Sequence, residues 1–261
     1  MHTAISNAYT GVRAYQGGLD QVADNVANVN TPGYKSSEAS FSDLVYREFR
    51  ERRLPVDPDP ALREPQGGNG SRVSSVIPSF EQGDMQQTGR PLDLAVEGEG
   101  LFRVVRPDGT EAYTRQGSFF KDAEGNLVTA AGDILETDFT LEEISAEDVS
   151  ISEEGEVHAV DEDGEREHLG DLEVYRFTNP DGLEAEGDNL YVETGVSGEP
   201  MGGVPGEEGR GVLRQNMLEG SNVELYQEMS DMIKMQRALS SSTRAVSTAN
   251  ELWVLALQAK R

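Results

Sequence analysis

A chain of 261 residues with 36% hydrophobic content, 28 glycines and 11 prolines is long enough for one large or two modest domains and is rich in turns. It has no cysteine, which excludes disulfides and thiolate metal sites, and no run of 18 apolar residues, which excludes an apolar helical membrane span. Its net charge of −26 concentrates between Asp133 and Glu193, where 22 acidic residues meet only Arg166 and Arg176, and so nucleic acid is not an expected partner.

The first predicted element is a helix over residues 5–29. Ile5, Val12, Leu19 and Val26 recur at one heptad position, and Ala8, Tyr15, Val22 and Val29 at the other. Gly17 and Gly18 sit mid-helix, where each costs roughly 1 kcal/mol relative to alanine. That cost makes sense where a second helix approaches closely or the helix bends. The turn Asn30-Thr31-Pro32-Gly33 should end it, because proline disfavours helix in the preceding residue and glycine accepts positive φ. The first 30 residues lack a basic start, an unbroken apolar stretch and a small-residue cleavage site, so no cleaved signal peptide is expected.

Residues 36–82 read as an extended arm or insert. They carry Phe41, Leu44, Val45, Tyr46 and Phe49, then the arginines 47, 50, 52 and 53, then Pro-rich and Gly-rich sequence over 55–72 that cannot pack a core. From 83 to 217 short strands alternate with Asp-Gly and Gly-Asn turns, among them Asp108-Gly109 and Gly125-Asn126, as in an antiparallel β-unit. Later strands are expected at 149–152, 156–160, 172–177 and 190–194. Its acidic stretch reads first as a solubilising face and second as an adaptation to high salt.

The last element is a helix over 223–259, with Leu225, Met232, Leu239, Val246 and Trp253 seven residues apart and Met235, Ala249 and Ala256 at the companion position. A seam with a period of 3.5 asks for a partner helix, and each terminal helix is the other's nearest candidate. The expected class is therefore α+β. The N- and C-terminal helices pair as a coiled-coil domain (1–35 with 218–261), and the chain between them is the extended 36–82 insert and a central antiparallel β-rich domain (83–217).

Catalytic constellations are missing. His2, His158 and His168 have no metal-ligand spacing. In the calcium-loop-like run 161–165 the glycine stands at the fourth position, not the sixth, and Leu172 occupies the twelfth. Gly117-Ser118-Phe119 is not a nucleophile elbow. No enzyme and no cofactor are expected.

The run Ala27-Asn28-Val29-Asn30-Thr31-Pro32-Gly33-Tyr34-Lys35 resembles the N-terminal signature of the bacterial flagellar rod and hook family. Further blocks agree in order: Gln86 to Gly89 with Leu92 to Gly98, Tyr113 to Phe119, and Leu218 to Val223 with Ala245 to Ala249. The length, the insert between Tyr46 and Glu81, and the runs Asn179 to Leu183 and Asn189 to Thr194 are most similar to its distal-rod branch, with a proximal-rod branch as alternative. The resemblance implies a structural subunit of a helical homopolymer that transmits torque from motor to hook, with the terminal helices lining the inner tube. It implies neighbouring rod, hook and ring proteins as partners, no membrane insertion, and a basal body spanning periplasm to outer membrane. It also implies passage through the flagellar type III export apparatus without signal cleavage. Assembly would rest on the seam Ile5, Val12, Tyr15, Leu19, Val22, Val26, Leu225, Met232, Leu239, Val246 and Trp253. The remaining helix faces, with Asn25, Asn28 and Gln236, would bond adjacent subunits. From a different class, the alternative is an acidic surface-exposed binding module with helical oligomerisation ends.

Overall fold

The structure, a computed structural model, describes residues 2–44, 47–48, 66–141, 144–160 and 166–258. Residues 45–46 and 49–65 of the insert, with Val45, Tyr46, Phe49, Arg50, Arg52 and Arg53, lie outside the described residues, as does the calcium-like run 161–165. The chain divides into two compact units. One comprises Met1–Val26, Ser37–Ile77 and Leu225–Arg261, and the other Ala27–Ser36 with Pro78–Glu224. The class is α+β: a helix at each end and a central region of short antiparallel strands.

In the first unit, helix α1 spans His2–Ala27 and helix α2 spans Leu225–Gln258. Helix α1 ends two residues before Val29, and the turn that follows is closed by Thr31 N–H donating to Asn28 O at 3.0 Å. Its buried positions are Gly11, Ala14, Gly18, Val22 and Asn25, spaced by three and four, and they define a single face. Along α2, Glu228, Met232, Met235, Leu239, Ser242, Val246 and Ala249 are half-buried and most residues between them are exposed. The half-buried positions form a narrow stripe and not a broad face.

Strand Ser37–Asp43 pairs with Ser71–Pro78, and Arg47–Glu48 with Gln66–Gly67. Residues 66–78 are therefore largely in paired strands and not in an open arm. Apolar Val73, Val76 and Ile77 supply the β-propensity that the neighbouring glycine-rich sequence lacks. The end of this segment lies on α1, where Asn7 Nδ2 donates to Gly68 O at 2.7 Å.

In the second unit a seven-stranded antiparallel sheet runs in the order Glu184–Gly187, Leu190–Val192, Glu111–Thr114, Phe102–Val105, Ile134–Leu135, Leu127–Val128 and Phe120–Lys121. Glycines 109 and 125 take φ of +85° and +86° in the expected turns. Val149–Ile151, Glu156–Val160 and Arg166–Asp171 make a three-stranded sheet. Two-stranded pairs complete the unit: Leu94–Glu97 with Val212–Gln215, Val174–Arg176 with Met201–Gly203, and Met85–Gln87 with Met217–Glu219. The core lies between these sheets, centred on Leu94, Val96, Phe102, Val104, Phe119, Leu141, Val157, Leu172 and Leu213. Phe102 and Phe119 meet edge to face with centroids 5.4 Å apart.

Candidate functional site

Two features concentrate specific geometry: the turn that follows α1, and the facing sides of the two helices. The turn belongs to the β-rich unit. Gly33 takes φ +70°, and a Cβ there would stand 2.6 Å from Gln116 N and 2.7 Å from its Cα, so only glycine fits so close to that backbone. Its N–H donates to Glu219 O at 2.8 Å, and Asn189 Nδ2 donates to Pro32 O at 3.3 Å. Thr31 Oγ1 donates to Asn28 Oδ1 at 3.2 Å, while Asn30 is exposed. Tyr34 is buried, as is Lys35 beside it.

Lys35 enters a cluster of three buried charges. Its Nζ lies 2.7 Å from Glu219 Oε1 and donates to Glu81 O at 2.6 Å. Arg115 Nε bonds the other carboxylate oxygen of Glu219, and Arg115 Nη2 donates to Val96 O and Gly98 O at 2.6 Å each. Gly83 N–H also donates to Glu219 Oε1, at 2.8 Å. The side chains are 1% (Lys35), 0% (Glu219) and 5% (Arg115) exposed, so solvent does not screen them. Burial pushes the Glu219 carboxyl up, but Arg115 and Lys35 outweigh it and hold it below the usual carboxylate range. For Lys35 burial prevails and pulls the ammonium below its usual value despite Glu219. Two cations thus share one carboxylate, and the backbone carbonyls of Glu81, Val96, Gly98 and Gly100 accept further N–H groups from them. Nearby, burial pushes the Tyr191 hydroxyl up to about 12. Next to Lys35, Ser36 N–H donates to Asn222 Oδ1 at 2.7 Å, and Asn222 Nδ2 reaches Ser79 O at 2.9 Å and Glu81 O at 3.1 Å.

The helix faces meet at three points. A Cβ on Gly11 would stand 3.5 Å from Ser242 Oγ, and one on Gly18 would stand 2.9 Å from both Met235 Sδ and Phe41 Cζ. Asn25 Nδ2 donates to Glu228 Oε1 at 2.9 Å. Residues 11, 18 and 25 are seven apart, as are 242, 235 and 228 in the opposite direction. Asn25 is buried; its amide also exchanges two 3.0 Å hydrogen bonds with Ser37 N–H and O. The side chain that the sequence assigned to a subunit-facing surface is therefore bonded within its own chain. Burial, together with Asp231 and Glu38, pushes the Glu228 carboxyl up, and Asn25 offsets part of the rise.

Among the predicted seam residues, Val22 is buried, while Ile5, Val12, Tyr15, Leu19, Val26, Met232, Leu239 and Val246 are half-buried. Leu225 and Trp253 are exposed, at 45% and 36%. Away from the stripe Tyr226, Met229 and Ile233, at i, i+3 and i+7, are exposed, as are Leu252, Val254 and Leu255. Among the described residues no group of three or more His, Asp or Glu side chains is placed to hold a metal ion. His158 and His168 face each other across adjacent strands and lean on Glu156 and Asp171. Sequence reasoning placed Lys35, Arg115 and Glu219 within matching blocks but assigned them no contact. The available signal was a charged residue inside each of three otherwise uncharged turn or strand motifs.

Comparison with known proteins decides what this arrangement belongs to. Residues 5–35 match the family model for flagella basal body rod proteins. Residues 95–159 match that for the D1 domain of the flagellar hook protein FlgE/F/G, and residues 214–258 that for the C-terminal part of the flagellar basal body rod FlgEFG proteins. The flagellar basal-body rod protein FlgG of Borreliella burgdorferi is 41% identical over the whole of both chains. FlgG of Bacillus subtilis is 35% identical over 97% of each, and the hook-basal body complex protein FlhP of the same organism 29% identical over 97% of each. The chain belongs to the flagellar basal-body rod protein family. It is a structural subunit of the flagellar rod, not an enzyme, and its place is the flagellar basal body among other flagellar proteins. The FlgG relatives bear out the distal-rod branch, and the surface binding module is not favoured.

Proposed function

We propose that this rod protein polymerises into a straight helical tube that carries torque from motor to hook, with α1 and α2 of each copy paired as an antiparallel coiled coil. The observation that carries this reading is the run of three contacts at seven-residue steps, Gly11 to Ser242, Gly18 to Met235 and Asn25 to Glu228. A stripe that stays half-buried along α2 supports the second half of the reading, because a helix finished within one chain would bury its seam. Copies that meet through non-identical faces whose rotation does not close build a filament. On this reading Ile5, Val12, Tyr15, Leu19, Val22, Val26, Met232, Leu239 and Val246 hold the pair, and Leu225 and Trp253 face neighbouring copies. The helical domain of 1–35 with 218–261 lines the tube, and the chain also carries the 36–82 insert and the β-rich domain of 83–217. Ends of the polymer meet neighbouring rod, hook and ring proteins between periplasm and outer membrane. The chain arrives through the type III export apparatus with its N-terminus uncleaved.

Leu239→Asp tests the reading. A charge in a half-buried seam removes part of the roughly 1.5–3 kcal/mol that burying a leucine contributes, and it does so at every copy of the polymer. Cells carrying this variant should export the chain yet build no rod beyond the preceding segment and fail to swim, while the β-rich unit of the purified variant keeps its circular dichroism. Rods of normal length in electron micrographs of basal bodies would contradict the proposal.

A further inference from the structure

The division of the chain into units also divides its charge. The helical unit holds 12 cationic and 12 acidic side chains and is neutral, whereas the β-rich unit holds 10 cationic against 36 acidic and carries the whole −26. Eight of those ten cations are already in ion pairs. Lys35 and Arg115 are buried on Glu219, Arg90 is on Asp93, and Arg103 is on Glu111 and Glu136. Arg106 is on Glu186, Arg176 on Glu99, Arg210 on Glu208, and Arg214 on Glu97 and Glu153. Lys121 is spent on the backbone oxygen of Ile144. Ten cations cannot neutralise 36 carboxylates in any arrangement, so an excess of 26 negative charges stays on the unit. Both outer strands of the acidic region, Glu184–Gly187 and Arg166–Asp171, are largely exposed and add to the field.

We infer that the β-rich unit reaches full stability only in concentrated salt, and that ionic strength is a control on this chain acting on that unit and not on its helices. Mutual repulsion of like charges opposes the compact state, and it grows with the square of the net charge. The screening length is about 8 Å in 0.15 M salt and about 3 Å at 1 M, the latter shorter than the spacing of neighbouring carboxylates on a sheet surface. Monovalent cations therefore supply what the protein's own side chains do not. The neutral helical unit has no such demand. In the polymer proposed above, the same screening would let acidic units of adjacent copies approach. The inference about the single chain stands apart from that reading.

Thermal unfolding of the full-length chain in KCl from 0.05 to 2 M is the test, read by circular dichroism in the β-sheet region. Fluorescence of Trp253, the single tryptophan and a residue of α2, follows the helical unit. The β-signal midpoint should rise by about 10 °C or more across that range, with a smaller change in the tryptophan signal. A triple variant at exposed acids, Glu154→Lys with Glu167→Lys and Glu184→Lys, brings the net charge to −20 and should retain only about 60% of that rise, in proportion to the squared charge. A flat midpoint overturns the inference, and so does a triple variant that keeps the full rise, since salt would then act on burial and not on charge. Neither result bears on whether the chain builds rods, which the Leu239→Asp cells report separately.

Discussion

Glu219 is where a single change should do most damage to the β-rich unit. Its carboxylate accepts from Lys35 Nζ, Arg115 Nε and Gly83 N–H, and its backbone oxygen accepts from Gly33 N–H. Glu219→Gln keeps the shape and the backbone bond but removes the only anion in the cluster. Lys35 and Arg115, at most 5% exposed, would then confront each other and an amide NH2, with only the weaker field of Glu81 acting on Lys35. Removing one partner of a buried ion pair typically costs about 3–5 kcal/mol, because the other charge is left desolvated and unpaired. Here no discount for solvent screening applies, and two cations are stranded, so the upper half of that range is expected.

The companion variants rank the mechanism. Lys35→Met leaves Arg115 and Glu219 as a neutral pair and removes an ammonium that burial already disfavours, so it should cost only about 1–2 kcal/mol. Arg115→Met keeps Lys35 on Glu219 but leaves the oxygens of Gly98 and Gly100 without the guanidinium donor, while Val96 O retains Gln82 Nε2, placing it between the two. Urea unfolding of the full chain, followed at the β-sheet circular dichroism band, gives the three values. The argument fails if Glu219→Gln is no more destabilising than Lys35→Met, since desolvated charge would then not be what the carboxylate offsets.

The same cluster sets a pH response. Because the folded-state pKa of Glu219 is depressed, its contribution is fully present above the unfolded value of 4.5 and disappears as pH falls through the folded value. The parent should therefore lose stability steeply below pH 4.5, and Glu219→Gln less steeply in the same titration. Gly33→Ala combines a left-handed φ with a Cβ 2.6 Å from backbone and should cost about 2–4 kcal/mol. Gly109→Ala, with φ +85° and open space around it, should cost only about 1–2 kcal/mol, so the difference in their urea midpoints measures the close approach. Gly17→Ala meets Val73 Cγ2 at 3.3 Å and gains up to about 1 kcal/mol of helix propensity, so cells carrying it should swim normally. Gly18→Leu would push on Met235 and Phe41, and those cells should lose motility in soft agar; equal swimming by the two would remove the case for close approach at Gly18.

Helices and strands were legible because their signals are local. Heptad spacing placed both terminal helices, and Asp108-Gly109 and Gly125-Asn126 marked turns that the backbone makes. What apolar periodicity did not locate is the deepest line of α1, because closest approach selects for small size and not for hydrophobicity. Gly11, Ala14 and Gly18 are more buried than Val12, Leu19 and Val26, and only the cost of a mid-helix glycine drew notice to Gly18. The bond of Asn25 within the chain was illegible because nothing in its neighbourhood along the chain announces Glu228, 203 residues away.

The buried charges were illegible for the same reason, and they change what the matching sequence blocks mean. Lys35 and Glu219 are 184 residues apart, and Arg115 and Glu219 are 104 apart. The N-terminal match ends at residue 35 and the C-terminal match begins at 214, so they present themselves as separate motifs. In the fold Gly33 N–H and Lys35 Nζ both end on Glu219, and Arg115 brings the central sheet to the same carboxylate. The glycine at 33, the lysine at 35 and the glutamate at 219 are therefore parts of one clasp. A substitution in any of them should be compensated, where it can be, only by a change in the others.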